Sequence, residues 1–91
     1  MHIGYMTSFG WLKDGFESRE KLINDFDNFA KALEKNNCKL LFWSGAYGVP
    51  EPYMYAIQFN NIKDWENGGP ELYRASPLNK TRTIFGWNYK D

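Results

Sequence analysis

Along residues 2–12, HIGYMTSFGWL, side chains alternate. Ile3, Tyr5, Thr7, Phe9 and Trp11 fall on one face of an extended segment, and His2, Gly4, Met6, Ser8 and Gly10 on the other. That period of two predicts a first β-strand. The period then changes. Leu22, Ile23, Phe26, Phe29, Ala30 and Leu33 recur at helical spacing and form one apolar stripe, which predicts an amphipathic helix from an N-cap at Ser18 to about Asn36. Glu20 lies in its first turn, where a negative charge suits the helix dipole, and Asn36 and Asn37 suit a left-handed C-terminal cap. KLLFWSGAY (39–47) and YMYAIQF (53–59) then read as two strands of a hairpin around the turn GVPEP.

Asn60 or Asn61 can cap a further helix, but Gly68, Gly69 and Pro70 interrupt it. Each Gly costs about 1 kcal/mol against Ala inside a helix, and Pro about 3. The segment is therefore expected as two short pieces, the second beginning at Pro70 and stopping before Pro77, with the break either a hinge or a fixed kink. TRTIFGWNY (81–89) closes the chain as a fourth strand. The order β-α-β-β-α-β over a single domain, 1–91, predicts an α+β protein with the ferredoxin-like plait. The echo of SFGW in IFGW falls at opposite ends of two antiparallel neighbours and marks no repeat.

The strands are apolar on both faces. Strict alternation sets Leu41, Trp43 and Tyr47 against Leu40, Phe42 and Ala46 in strand two, and Tyr53, Tyr55, Ile57 and Phe59 against Met54 and Ala56 in strand three. Two helices cover one face of such a sheet. A second copy of the chain, packed sheet to sheet about a two-fold axis, is the expected cover for the other; the alternative is a surface of exposed, amphipathic rings.

Composition narrows the function classes. The 91-residue chain carries 11 basic and 11 acidic residues, interspersed, so no basic face draws a nucleic acid. Its single cysteine, Cys38, points to a reducing compartment and a cytoplasmic protein. No basic leader precedes an apolar run, and no stretch approaches the ~20 apolar residues of a membrane span, so neither export nor a membrane is expected. His2 is the one histidine and Cys38 has no second thiol or histidine beside it, so no metal site and no Cys–His nucleophile pair is expected. Glu51, between two prolines, reads as a solvated loop charge. Aromatic residues make up 19% of the chain; a pocket lined by such rings suits a flat, apolar or phenolic ligand. Arg74 suits either a carboxylate or enolate anchor or a surface partner for Glu71.

The ninety-residue plait, the hairpin LLFWSGAYGVPEPYMYAIQF and the run FNNIKDWENGGPELYRASP resemble the dimeric α+β barrel superfamily, which includes antibiotic-biosynthesis monooxygenases, haem-degrading enzymes, and EthD-like and YciI-like proteins. The resemblance spans the whole chain and implies a homodimer with a cavity between sheet and helices. In the haem- and oxygen-using branches the second helix runs from a Trp to a His, with a Ser three residues later. This sequence keeps Trp65 and Ser76 but has Tyr73 at the His position, so a haem-free protein with no cofactor is expected. The implied cavity draws its lining from strand one, the broken helix and the inner strands: Tyr5, Trp65, Tyr73 and Arg74, with Trp43 and Trp87 as walls. The expected ligand is a small aromatic or polyketide-like molecule. The resemblance leaves open a cofactor-independent monooxygenase or isomerase, a non-catalytic binding protein, and a purely structural dimer.

Overall fold

A computed structural model describes residues 3–87. The elements are β1 (Gly4–Leu12), α1 (Arg19–Lys35), β2 (Cys38–Gly45), β3 (Tyr53–Phe59), α2 (Ile62–Ala75) and β4 (Leu78–Trp87). The strands form one antiparallel sheet in the order β2-β3-β1-β4, the ferredoxin-like arrangement. Both helices pack on one face of it. Expected strand residues His2, Asn88 and Tyr89 lie outside the described residues.

α1 begins and ends where the side chains dictate. Ser18 is extended, and its hydroxyl accepts a hydrogen bond from the Lys21 N–H at 3.1 Å, satisfying one of the donors a helix start leaves free. Asn37, at φ 61°, takes the left-handed turn that releases the chain into β2. Phe26, Phe29 and Leu33 of the predicted stripe are fully buried. Phe26 stacks flat on Trp43, ring centroids 4.4 Å apart, and Phe29 meets Tyr55 edge to face at 4.9 Å.

These rings decide which face of β1 is covered. Gly4, Met6, Ser8 and Gly10 are buried beneath the helices, whereas the side carrying Tyr5, Phe9 and Trp11 is the open one. With Phe26, Phe29, Tyr55 and Trp43 filling the layer between sheet and helices, only small or slender β1 side chains fit there. A β-bulge between Leu40 and Phe42 corrects the expected phase of β2. Leu40 opposes Ile57 and Trp43 opposes Tyr55, so the two share the helix face, while Phe42 opposes Ala56 on the open face. Tyr47 lies beyond the strand, fully in solvent. β4 begins at Leu78, earlier than the expected residue 81, because Lys80 adopts φ 51° and the register shifts between Phe9 and Trp11.

α2 is capped by Asn61, whose side chain accepts from the Lys63 N–H. It kinks at Gly69 (φ 11°, ψ −98°), and Pro70 opens the second half, where its missing N–H is not needed. Gly68 is buried at the kink; a Cβ there would come within 2.5 Å of Leu72 and 3.0 Å of Asn36. The second half is firmly held. Leu72 is fully buried, and Glu71 accepts from the Asn36 amide at 3.1 Å and pairs with Lys35 at 3.7 Å. Among the described residues, no helix is long and apolar enough to cross a membrane.

Candidate ligand cleft

The register lays out a row of residues across one end of the sheet. Phe59 of β3, Gly4 of β1 and Trp87 of β4 stand abreast on the helix side. One step inward, Ile57, Met6 and Phe85 form the next row. Gly4 is buried between rings, and any Cβ on it would strike the Phe59 ring. Its missing side chain makes a floor. Above it, Ile62, Trp65 and Glu66 occupy the first turns of α2 at the i, i+3, i+4 spacing that puts side chains on one helix face. Together with Asn60 and Gly86 these residues line an open cleft of about 600 Å³. Its walls are aromatic: Phe59, Trp65, Phe85 and Trp87. Among the described residues, Glu66 is the one ionisable side chain in the lining.

A second cleft, of about 230 Å³, lies at the other end of the sheet, between the β1–α1 loop, the start of α1 and the end of α2. It is polar. Lys13 donates from Nζ to the Tyr73 carbonyl and sits over the Tyr73 ring, 5.1 Å from its centroid; burial pushes its pKa down, partly countered by Asp14. Lys21 bonds Asp25 at 2.7 Å and Asp14 at 3.4 Å, and the Asp25 hydrogen bond leads in raising its pKa against desolvation. Here cations and carboxylates serve one another, tying the β1–α1 loop to both helices.

The six residues expected to line one cavity are dispersed. Trp65 and Trp87 meet in the aromatic cleft. Arg74 lines the polar one, and its expected surface partner, Glu71, is engaged by Lys35 and Asn36 instead. Tyr73 is 72% exposed, so the position that the resemblance gives to a haem-ligating His lies at the surface, outside the aromatic cleft, and does not fit that group. Trp43 belongs to the core through its stack on Phe26. Tyr5 stands on the open face of the sheet, opposite Gln58 and Gly86. Gly4, Phe59, Ile62, Glu66 and Phe85 were not expected; the spacing of Ile62, Trp65 and Glu66 was the signal for two of them.

Other groups singled out in the sequence have structural roles. Cys38 is buried, its thiol within 3.5 Å of the Asn36 carbonyl and its pKa pushed up, first by burial. Glu51 corrects the expectation of a solvated charge: its side chain is 7% exposed and takes a forked hydrogen bond from Arg82, 2.9 Å from Nε and 3.2 Å from a terminal nitrogen. Those bonds hold its carboxyl below the usual range. Arg82 in turn lies over the Phe9 ring at 4.7 Å. Two hydroxyl pairs lie beneath the helices: Tyr55 and Ser76, buried, at 3.2 Å, and buried Ser8 with the exposed Thr83 at 3.0 Å. Burial raises the Tyr55 pKa.

Sheet order, paired helices and cleft define a small α+β protein of ferredoxin-like fold. No protein-family model and no curated protein matches the sequence. Solved structures share the fold. A protein of unknown function from Rhodopseudomonas palustris superposes with a TM-score of 0.61 at 11% identity, covering 99% of this chain and 85% of that one. The hydroxynitrile lyase of Passiflora edulis gives 0.60 at 14% identity, with 98% and 95% covered. A dimeric ferredoxin-like protein of unknown function from Thermobifida fusca gives 0.54 at 10%, with 96% and 92% covered. At these identities the likeness is one of fold.

Proposed function

We propose that the chain is a homodimeric binding protein for a small apolar or aromatic ligand, held in the cleft between Gly4, Trp65 and Trp87. The aromatic cleft carries this reading: four rings and Ile62 around a glycine floor, in a volume that suits a small organic molecule. A cofactor-independent monooxygenase or isomerase would need a titratable group aimed at the substrate in a closed site. The cleft is open and the one ionisable side chain among its described lining residues, Glu66, is exposed, which favours binding over catalysis. The hydroxynitrile lyase with the same fold supports only that the plait can carry a reaction elsewhere.

The dimer rests on the open face of the sheet. Trp11, Phe42 and Ile84 are 41, 50 and 54% exposed there, beside Tyr5, Phe9 and Met54; the Glu51–Arg82 pair is internally neutral, and Lys39, opposite Gln58 at the margin, is exposed on the same face. The described residues span 40 × 29 × 19 Å, so a face up to 40 by 29 Å is broad enough for the roughly 800 Å² per partner of a stable interface. The Thermobifida fusca protein of this fold is dimeric, which supports a dimer here.

Titration with 2-naphthol, followed by isothermal calorimetry, tests the cleft. Saturable binding is expected, weakened about ten-fold or more, or about 1.4 kcal/mol, by Trp65→Ala. No binding up to millimolar ligand, or equal binding by the variant, overturns the reading. Sedimentation showing a monomer at micromolar concentration overturns the dimer.

A further inference from the structure

Charge is arranged differently in the two clefts. The polar one balances Lys13, Lys21 and Arg74 against Asp14, Glu17 and Asp25, whereas among the described residues the lining of the aromatic one holds no basic residue and a single carboxylate, Glu66, at its rim. Trp65 and Trp87 are the ring type that attracts a cation most strongly, and a carboxylate beside such rings adds to the attraction. The start of α2 brings a partial positive charge to the same rim, offset by Asp64 in that first turn. Lys63, the nearest cation along the helix, is exposed and does not line the cleft.

We infer that the cleft takes an organic cation: an apolar or aromatic body carrying an ammonium, most favourably a methylated one that sheds its water easily, with the charged head between Glu66 and the tryptophan rings. This rests on the cleft being the ligand site, and deepens it by fixing the ligand's charge. A neutral ligand of the same shape would use the floor and walls alone. An anion would face Glu66, and no described residue of the lining offers it a cation.

The test is a pair of isosteres, 4-tert-butylphenol and (4-hydroxyphenyl)trimethylammonium, titrated at pH 6.5 into the full chain. The cation is expected to bind about ten-fold tighter than the phenol. Glu66→Gln should bring the ratio of the two affinities to within about three-fold, whereas Glu17→Gln, the same charge change at the polar end, should leave it near ten. Raising salt from 20 to 500 mM on the unaltered protein should shrink the ratio too, a check independent of any variant's folding. If the phenol binds and the cation binds no tighter, the charge inference falls while the cleft stands. A ratio that survives both Glu66→Gln and high salt also overturns it. If neither molecule binds, the cleft reading fails and takes this inference with it.

Discussion

α2 joins two ends of one molecule that are built on opposite rules. At its start, Trp65 and Ile62 overlook a floor where β1 offers only Gly4, and the space between is wide, open and aromatic. At its end, Arg74 and Ser76 border a narrow space in which the charged groups of Lys13, Lys21, Asp14 and Asp25 already have partners within the chain. Side chains that satisfy one another stabilise a loop; on the proposed reading, the rings around the open space are where a ligand is held. The difference teaches that the density of chemically interesting residues is a poor guide to a site here, because the end richer in them uses them internally.

The kink at Gly69 separates the two ends, and the strongest perturbation should fall there. Gly68→Ala forces a methyl into Leu72 and Asn36, and overpacking of this kind costs about 1–3 kcal/mol, to be read as a lower urea midpoint. If the kink were a mobile hinge rather than a packed joint, the stable variant would instead show altered ligand exchange with little loss of stability. At the aromatic end, Gly4→Ala should displace the Phe59 ring, costing about 1–2 kcal/mol, and should weaken 2-naphthol; calorimetry on the purified variant checks both.

A smaller effect distinguishes the open face near the polar end. The Glu51 carboxyl is held below its ordinary range by the hydrogen bonds from Arg82. Its folded pKa therefore lies below the unfolded one, and the stability it contributes is present above the ordinary carboxylate range and lost as pH falls through that range to the folded value. Urea midpoints measured from pH 6 to pH 3 should fall less steeply in Glu51→Gln than in the unaltered protein. The smallest change should come from Arg74→Ala, at a surface position in the polar cleft: within about 0.5 kcal/mol in stability and no change in 2-naphthol affinity. A loss of affinity there would move the site to the wrong end.

Much of the fold was legible because local signals agreed. The Ser18 cap, the Phe26–Phe29–Leu33 stripe, Asn37 and the Gly68–Gly69–Pro70 break each have a local physical cause, and each appears where the residues place it. Which face of β1 the helices cover was not legible, since Met6 and Phe9 are both apolar; the volume already taken by Phe26, Phe29 and Tyr55 decides it. The bulge at Leu40–Phe42 likewise depends on pairing with β3 rather than on β2 itself. Of the candidate site, Trp65 and Trp87 could be named from sequence, but Gly4 could not, because a floor made by a missing side chain carries no chemical signature. Tyr73 and Arg74 were grouped with Trp65 because the resemblance draws its cavity lining from the broken helix that carries all three. Nine residues of helix span roughly 13 Å, enough to carry Arg74 to the other cleft.

The four tryptophans sit in three places: Trp11 on the open face, Trp43 in the core, and Trp65 and Trp87 in the aromatic cleft. Their indole N–H signals in a ¹H–¹⁵N spectrum, followed during a 2-naphthol titration, therefore report location directly. Saturable shifts at Trp65 and Trp87, with Trp11 and Trp43 unmoved, are the predicted result. Shifts led by Trp11, or a saturable binding event that moves neither Trp65 nor Trp87, would contradict it.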